Sequence, residues 1–369
     1  MLSMKNVDKN TFLEINLKAI QENYKLIQKK IGDKCLLAAT VKANAYGLGV
    51  EKIVSRLSKI GCKFFFVATT NEGIELRKIN KKISIFILNG LVTKDIKLIY
   101  KYNLIPVINS LAQLKTFEKF QDKNKFKLNI ALHFDTGMSR LGFDSYETNI
   151  LINQKSKLIK NSKIFLVMSH LSCADDKQSK YNEKQLNKFE NIRLHFPNSL
   201  HSLSNSAGIL LGKKYHFDMV RPGISLYGGH CQKNQKITYN NVVSLKAKLI
   251  QSREIYKGDV IGYGATFKAK SKMQVGTLGF GYADGFNRLF SNNFRINHKN
   301  KQVHVVGRVS MDLITIDITK LKNNKNIMDQ EFEIIGKNYS INTISKIINT
   351  IPYEVLTNLG KRYQRRYIS

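Results

Sequence analysis

One lysine at the end of an apolar run is the first residue of this sequence whose placement suggests chemistry. In LLAATVKANAYGLGV (36–50), Lys42 follows the apolar run and precedes Asn44, Tyr46 and two glycines. The pattern predicts a buried strand that opens into a turn and then a helix. Lysine is a poor strand residue and costly to bury. Its side chain therefore either reaches solvent at the strand end or is desolvated enough to act as an amine nucleophile, for example in a Schiff base.

Two later turns have the composition of phosphate sites. SLSNSAGIL places Asn205, Ser206 and Gly208 between a strand and a helix, and MVRPGISLYGG contains Gly223 after an Arg-Pro turn. Hydroxyl and N–H groups at the start of a helix bind anions, and glycine lets backbone N–H groups approach a phosphate closely. The alternative for the first turn is an ordinary helix cap at Ser204 or Ser206.

Charged and titratable side chains follow two other predicted strands. HFDTGMSRLG contains Asp135 and Arg140, and SHLSCAD contains His170. Arg140 could clamp a carboxylate with two hydrogen bonds, or it could form a surface pair with Asp135 or Asp144, which stabilises little. His170 on its own is more typical of a hydrogen-bonded core histidine than of a catalyst.

The last third of the chain has tyrosines bracketed by glycines. GYGAT contains Tyr263, GYADG contains Tyr282, and GRVSMD places Met311 beside Asp312. A tyrosine between glycines can fill a bend in the backbone. A catalytic role for Tyr263 is the alternative.

Eight apolar runs of strand-like composition must position these residues. They cover residues 36–42, 64–70, 84–90, 104–110, 128–136, 164–170, 199–206 and 217–228. Helical periodicity between them predicts parallel βαβ units. Eight such repeats favour a closed TIM-type (β/α)8 barrel, with an open doubly wound sheet as the alternative. Chemistry in a barrel lies at the carboxyl ends of the strands, where the sequence places Lys42, Asn89, Asp135, His170, Ser206 and Arg221.

The pattern changes after the eighth run. A polar segment, residues 231–241, precedes short strand-like runs that are separated by Gly and Asp turns. We therefore expect a barrel domain over residues 11–235 and a mostly β domain, a small barrel or sandwich, over residues 236–369. Residues 11–17, TFLEINL, alternate like an edge strand and stand outside the eight runs.

The composition is ordinary for a globular protein except for its charge. The 369 residues are 43% hydrophobic and 24% charged, and the formal net charge is +33. A large excess of basic over acidic residues can indicate a nucleic-acid partner. The lysines are spread along the chain without a recognisable basic and aromatic pattern, so we expect a compositional bias and no nucleic-acid partner.

The spacing of the cysteines and the hydropathy of the chain predict the cellular compartment of the protein. The four cysteines, Cys35, Cys62, Cys173 and Cys231, lie far apart and form no CxxC pair, which suits reduced thiols in a cytosol. The stretch MLSMKNVDKN lacks the apolar core of a signal peptide, and no apolar run reaches the roughly 18 residues of a transmembrane helix. We expect a cytoplasmic protein with no membrane partner and no metal site.

Taken in order, these motifs resemble those of the alanine racemase family, fold-type III enzymes that use pyridoxal 5'-phosphate (PLP). VKANAYGLG resembles the PLP-lysine signature of that family. The motif order continues through DTGMSRLG, SH, NSAG, RPGISLYG, GYGAT, GYADG, GRVSMD and YEVLTNL. The likeness extends over nearly the whole chain, from FLEINLKAIQENY to RRY.

The resemblance implies a fold, an activity and a set of site residues. It implies a barrel and a β domain in a head-to-tail homodimer, with the strand at 11–17 joined to the β domain. It implies interconversion of L-alanine and D-alanine, which supplies D-alanine for peptidoglycan. Arg140 would bind the substrate, Tyr282 would line the entry, and Tyr263 and Met311 would come from the partner subunit. The cofactor would be bound by Lys42, Tyr46, His170, Asn205, Ser206, Arg221, Gly223, Ile224 and Tyr353.

The chemistry of racemisation fits a lysine and a tyrosine. A base that removes a proton from one face of a planar carbanion returns it to that face, so inversion needs a second group on the other face. By resemblance, Lys42 takes the proton of D-alanine and Tyr263 takes that of L-alanine. A tyrosine needs cationic help to act as a base near neutral pH.

Arg221 would hydrogen-bond the pyridine nitrogen of the cofactor. Because arginine stays protonated, it cannot accept a proton from that nitrogen, and the ring becomes a weaker electron sink. The hypothesis is that this limits the lifetime of the carbanion and suppresses transamination. Arg221→Glu should then increase the absorbance of the carbanionic species, and unchanged spectra and product ratios would contradict it.

One position departs from the pattern of the family. Many relatives have a carbamylated lysine two residues before the Asp of DTGM, where it holds the neighbouring arginine, and this chain has His133 there. A histidine cannot supply the same anion. Arg140 is then held by another group or by a bound anion.

Three other functions compete with this one. A decarboxylase or a racemase of broader specificity could share the fold, but decarboxylases usually place a Glu where this chain has Arg221. A non-catalytic PLP-binding barrel would resemble only the first domain. A nucleic-acid-binding protein rests on the net charge alone, and steep loss of DNA binding with salt would mark such binding as non-specific.

Overall fold

The computed structural model describes residues 10–299, 301–321 and 326–369. The stretch MLSMKNVDKN, apart from Asn10, therefore lies outside the described residues. The chain forms two compact units. One comprises residues 20–240, and the other comprises residues 241–369 together with those before residue 20. The first described strand, β1 (Thr11–Asn16), belongs to the second unit, and helix α1 (Leu17–Ile31) follows it.

The first unit is built on eight parallel strands, which confirms the predicted barrel. Their bounds are β2 (Leu36–Thr40), β3 (Phe64–Val67), β4 (Ser84–Ile87), β5 (Ile105–Ile108), β6 (Asn129–His133), β7 (Lys163–Met168), β8 (Leu200–Ser202) and β9 (Met219–Val220). Neighbours pair in the order β8-β7-β6-β5-β4-β3-β2-β9. Backbone bonds from Arg221 N to Ser204 O (2.9 Å) and from Asp218 N to His201 O (3.1 Å) join the two ends of this sheet.

The final strand is shorter than the run 217–228 suggests. β9 ends at Val220 because Pro222 follows closely and has no N–H to donate to a ladder. Residues Ile224–Tyr227 form a 3-10 turn instead of continuing the strand.

The helices of this unit connect successive strands of the barrel. After α1 they are α2 (Val50–Lys59), α3 (Thr70–Ile79), α4 (Ile96–Lys101), α5 (Leu111–Asn124), α6 (Ser145–Asn153), α7 (Lys155–Leu158), α8 (Tyr181–Arg193) and α9 (Ser206–Leu211). Side-chain oxygens of Thr69, Ser110, Asp144 and Asn205 cap α3, α5, α6 and α9. Each cap accepts a backbone N–H that has no partner within the helix, so the caps fix where the loops at the carboxyl ends of the strands begin and end.

The barrel interior is filled by large apolar side chains. Phe66 and Phe86 stack with their ring centroids 4.5 Å apart, and Val107, Leu166 and Met168 pack with them in the same buried cluster. Close packing of this kind fixes the strand ends on which polar side chains stand.

The second unit is mostly β, as predicted. With β1 it contains β10 (Val243–Ala247), β11 (Leu249–Ile255), β12 (Val260–Ile261), β13 (Phe267–Lys268), β14 (Met273–Leu278), β15 (Arg295–His298), β16 (Lys301–His304), β17 (Ile314–Asp317), β18 (Phe332–Ile335), β19 (Gln364–Ile368), α10 (Ile341–Ile347) and α11 (Pro352–Thr357). The strand orders are β16-β15-β18-β10-β1-β19, β11-β14-β17 and β12-β13. β1 pairs antiparallel with β10 and parallel with β19.

Among the described residues, we find no helix with the length and apolar character needed to cross a membrane.

Candidate active site

A turn of left-handed helix follows Lys42 directly. Ala43, Asn44, Ala45 and Tyr46 have φ angles between 53° and 57°. Left-handed helical backbone costs roughly 1–2 kcal/mol for each residue other than glycine, so the surrounding structure must hold this turn in place. Asn44 contributes by accepting the N–H of Val50 at 2.8 Å. Strain of this kind concentrates at functional sites.

The environment of Lys42 favours a neutral amine. Partial burial lowers the pKa of Lys42 below its usual range, the Arg140 guanidinium lowers it further, and the Glu72 carboxylate opposes both. A lower pKa increases the fraction of amine that is available as a nucleophile near neutral pH. This environment is consistent with the nucleophilic role that the sequence left open.

A cradle of polar groups lies around Ser206. Ser206 Oγ accepts the N–H of Gly223 at 2.9 Å and the hydroxyl of Ser225 at 3.0 Å. A Cβ atom at Gly223 would collide with Tyr46 Oη, so only glycine allows this approach of backbone to phenol. Two hydroxyls and a backbone N–H therefore converge in a buried space and suit an anionic group such as a phosphate.

The helix cap at this cradle differs from both alternatives drawn from the sequence. Asn205 Oδ1 accepts the N–H of Gly208 at 2.9 Å and caps α9. Ser204 instead donates its hydroxyl to Tyr215 O at 2.7 Å. Because the cap is Asn205, the Ser206 hydroxyl is available to the cradle.

Arg221 is a buried cation that binds only neutral groups. It is 4% exposed, donates from Nη2 to Ser169 O at 2.6 Å, and also bonds the Ser202 hydroxyl. Within the described part of the chain it forms no ion pair with a carboxylate. Burial lowers the pKa of Arg221 to about 9. Such a group is suited to donating a hydrogen bond to a neutral acceptor on a bound ligand.

His170 lies beside Arg221 as a neutral imidazole. Burial lowers the pKa of His170 well below its usual range, and Arg221 and Arg140 lower it further. His170 Nε2 lies 3.2 Å from Asn205 Nδ2. This contact fixes the orientation of the His170 ring at the carboxyl end of β7. His170 is therefore part of a cluster of polar side chains and not an isolated core histidine, the role that its sequence motif alone favoured.

His133 is held in one tautomer by Asn109. Asn109 Nδ2 donates to Leu88 O at 3.3 Å and to Val107 O at 2.9 Å, so its Oδ1 accepts from His133 Nδ1 at 2.8 Å. Burial, followed by the charge of Arg221, lowers the pKa of His133 to about 3. His133 is therefore neutral at any physiological pH and supplies no anion.

Arg140 makes none of the surface pairs that the sequence left open. Asp135 accepts the N–H groups of Gly137 and Met138 at 2.8 Å, and Asp144 caps α6. Within the ranges that the structure covers, Arg140 has no hydrogen bond or ion pair, and its side chain is exposed. A guanidinium in this state is available to a carboxylate ligand.

One buried residue of this region carries no signal in the sequence. Gln185 on α8 is fully buried, donates to His170 O at 3.0 Å and to Thr136 Oγ1 at 3.2 Å, and accepts the N–H of Ser172 at 2.9 Å. It joins the loop after β6 to the loop after β7. A glutamine in YNEKQLNKF looks like any other polar helix residue, so only the three-dimensional fold reveals this contact.

The remaining predicted site residues lie in the second unit. Tyr263 is 72% exposed, Met311 is 53% exposed and Tyr282 is 45% exposed. The Tyr282 N–H donates to Ser310 O at 3.1 Å, so the turns with Tyr282 and Met311 are joined. Tyr353 is half-buried on α11. Large exposed side chains of this type are common where a protein surface meets a partner.

The sequence matches the models of two families. Residues 15–231 match "Alanine racemase, N-terminal domain", and residues 242–367 match "Alanine racemase, C-terminal domain". The chain is 46% identical to an alanine racemase of Rickettsia bellii over 90% of this chain and 81% of that protein. It is 41% identical to an alanine racemase of Rickettsia typhi over 97% and 99% of the two chains.

Solved structures of alanine racemases are also similar. The enzyme of Bartonella henselae with covalently bound pyridoxal phosphate has a TM-score of 0.92 and 34% identity, and the match covers 98% of this chain and all of the other. The biosynthetic alanine racemase of Pseudomonas aeruginosa has a TM-score of 0.88 and 30% identity, with coverage of 98% and 100%.

Proposed function

This chain belongs to the alanine racemase family, and from that premise we propose that Lys42 and Tyr263 interconvert L-alanine and D-alanine on PLP. The observation that carries the proposal is the environment of Lys42. Its amine stands on a strained turn at the carboxyl end of a barrel strand, and its pKa is lowered by partial burial and by Arg140.

The residues of the barrel fit the cofactor. Lys42 would hold PLP covalently, Tyr46, Ser206 and the N–H groups of Gly223 and Ile224 would bind its phosphate, and Tyr353 of the second unit would be a further donor. Asn205 orients His170, which would contact the ring. Arg221, buried without a counter-ion among the described residues, would donate a hydrogen bond to the pyridine nitrogen. When bound, PLP supplies an electron-withdrawing ring that acidifies the Cα–H bond of the amino acid attached to it.

The protein's own groups bind the substrate and move its proton. Arg140 holds the substrate carboxylate, Met311 contacts the bound amino acid, and Tyr282 lines the entry. With the amino acid attached to the cofactor, the Lys42 amine would remove the Cα proton of D-alanine. Tyr263 protonates the opposite face, and the reverse sequence converts L-alanine.

We place Tyr263 and Met311 in the site of a partner subunit, in a head-to-tail homodimer. Support comes from the exposure of these two side chains within their own chain, 72% and 53%. Both ends of the proton transfer are then present only in the assembled dimer.

Reduction with borohydride tests the position of the cofactor. We expect the PLP-loaded protein to retain one cofactor adduct per chain after reduction and denaturation. Peptide mapping should locate this adduct on Lys42, on the peptide that contains KANAYGLG. An adduct on another lysine, or none, would contradict the proposal.

Substitution of two buried glutamines, Gln185 and Gln121, tests whether the loops after β6 and β7 must be held together for PLP and alanine to bind. Gln185→Leu should weaken PLP binding and raise KM for alanine by about tenfold, because it breaks buried bonds worth roughly 1–3 kcal/mol. The matched control is Gln121→Leu. Gln121 is also fully buried, and it joins Leu128 and Ser162 at the amino ends of β6 and β7.

Thermal unfolding and PLP titration of the two variants separate stability from positioning. Both substitutions should lower the melting temperature by similar amounts, since each leaves partly buried polar groups without partners. Only Gln185→Leu should change PLP affinity and KM. Equal kinetic effects in the two variants would mean that Gln185 acts on stability alone.

A further inference from the structure

Glu72 occupies the third position of a helix, where a glutamate ordinarily caps the amino end of that helix. It is the third residue of α3, and with Thr69 it forms a capping box in which Thr69 Oγ1 accepts the Glu72 N–H at 3.3 Å. The usual return contact, from the Thr69 N–H to the carboxylate, is also 3.3 Å. Both are long for hydrogen bonds of this type.

The shorter bonds of Glu72 go elsewhere. Glu72 Oε2 accepts the N–H of Ala68 at 2.7 Å, and Oε1 accepts the N–H of Ala43 at 2.6 Å. Charge-assisted bonds of this length are about twice as strong as neutral ones. The carboxylate is therefore used mainly to join the end of β3 to the residue after Lys42.

Ala43 is the first residue of the left-handed turn. Its φ is 54°, and three further residues without the freedom of glycine follow in the same conformation. A bond from a side chain on α3 to the start of this turn opposes its relaxation to ordinary backbone. The same bond fixes the position of the Lys42 Cα atom.

Titratable groups from three elements influence the Lys42 amine. Arg140, on the loop after β6, lowers the pKa of Lys42, and the neutral His170, on the loop after β7, interacts electrostatically with Lys42. Glu72 on α3 provides the opposing negative charge. Its carboxylate is thus linked to Lys42 by geometry and by electrostatics.

We propose that Glu72 is a positioning residue for Lys42, with its carboxylate holding the left-handed turn that presents the amine and balancing the charge of Arg140. This inference rests on the proposed role of Lys42 as the cofactor-binding lysine. It assigns Glu72 no contact with substrate or cofactor.

The chain contains a matched control for this residue. Glu147 is the third residue of α6, is half-buried like Glu72, and also reaches a neighbouring βα unit, since its Oε1 accepts the Leu111 N–H at 3.0 Å. It does not contact the turn after Lys42. Glu147→Gln therefore removes a carboxylate at the same helix position, with its bond to a neighbouring unit, without touching the site.

The test measures how fast apoprotein captures PLP on Lys42. Wild-type and variant apoproteins are mixed with PLP over a range of pH, trapped with borohydride and analysed by peptide mapping for the Lys42 adduct. The plateau rate at high pH, where the amine is neutral, reports positioning. The pH midpoint reports the charge around the amine.

Glu72→Gln should affect both quantities. Its amide offers one oxygen where the backbone N–H groups of Ala43, Ala68 and Thr69 bind two carboxylate oxygens. The plateau should therefore fall by about tenfold, the effect of one lost charge-assisted bond. Removing the negative charge lowers the pKa of Lys42 further, so the midpoint should move to lower pH. Glu147→Gln should lower thermal stability similarly and leave plateau and midpoint unchanged.

Glu72→Asp separates the two contributions. It keeps the charge on a side chain one methylene shorter, so it should lower the plateau with little change in midpoint. Wild type that traps no PLP on Lys42 would overturn the proposed function. Wild type that traps normally, with Glu72→Gln or Glu72→Asp behaving like Glu147→Gln, would overturn the role of Glu72 alone.

Discussion

Lys42→Arg is expected to abolish racemisation in both directions and covalent retention of PLP. The variant keeps the positive charge beside Arg140, but a guanidinium stays protonated and is neither a nucleophile nor a base near neutral pH. Losing the acid–base group lowers the rate by about 10⁴-fold, the upper range for such groups. The measurements are D-alanine formation from L-alanine and PLP retained after exhaustive dialysis.

Lys63→Arg is the control for this prediction. Lys63 is an exposed lysine directly before β3, at the amino end of the barrel strands. The substitution should leave activity and PLP content unchanged. A Lys42→Arg variant that retains a tenth or more of wild-type turnover would show that another lysine performs the chemistry.

Tyr263→Phe is expected to stop racemisation but preserve one half-reaction. Lys42 still removes the proton of D-alanine and returns one from solvent to the same face, so in D₂O the α-proton of D-alanine should exchange without inversion. The α-proton of L-alanine should not exchange, because the base for that face is missing. Proton NMR of each enantiomer measures the exchange directly. Racemisation should fall by roughly 10²–10⁴-fold.

Tyr256→Phe is the matched control in the same unit. Tyr256 is 57% exposed, and losing its hydroxyl should change neither racemisation nor exchange. If Tyr263→Phe lost exchange of both enantiomers equally, the hydroxyl would serve binding or folding rather than one face of the substrate.

The same variants test the dimer. Lys42→Arg and Tyr263→Phe homodimers each lack one base in both sites. A mixed dimer in head-to-tail arrangement contains one complete site, so unfolding and refolding equal amounts should restore about a quarter of wild-type activity by random pairing. No restoration would mean that Lys42 and Tyr263 act within a single chain.

The fold was largely predictable because its strands are apolar runs. Each of the eight runs contains a barrel strand, since residues such as Phe65, Ile85 and Leu132 must be buried between helices and barrel interior. The final strand is short because Pro222 has no backbone N–H to add to a ladder, although the apolar run continues beyond it.

The candidate site was less predictable because its geometry depends on distant pairs. Ala43 to Tyr46 contain no glycine, so no local propensity indicates a left-handed turn. The Asn109–His133 bond joins residues 24 positions apart, and the Glu72–Ala43 bond joins residues 29 positions apart. Tertiary contacts of this kind are set by the barrel and leave no periodic trace in the sequence.

His133 bears on how Arg140, the proposed substrate-binding residue, is held. The imidazole is neutral and bonded to Asn109, so it supplies no anion to hold Arg140. Arg140 has no partner among the described residues. In the proposed site, the guanidinium of Arg140 would therefore be oriented chiefly by the substrate carboxylate.

The most direct test of the account is the optical rotation of L-alanine and, separately, of D-alanine incubated with the PLP-loaded protein. We expect the optical rotation of both solutions to decay to zero, because the two enantiomers have equal free energy and the two bases together allow conversion in both directions. Repeating the measurement with L-serine would define the substrate range. Constant rotation with both enantiomers, in protein that carries PLP on Lys42, would contradict it and leave a PLP-binding barrel that does not racemise alanine.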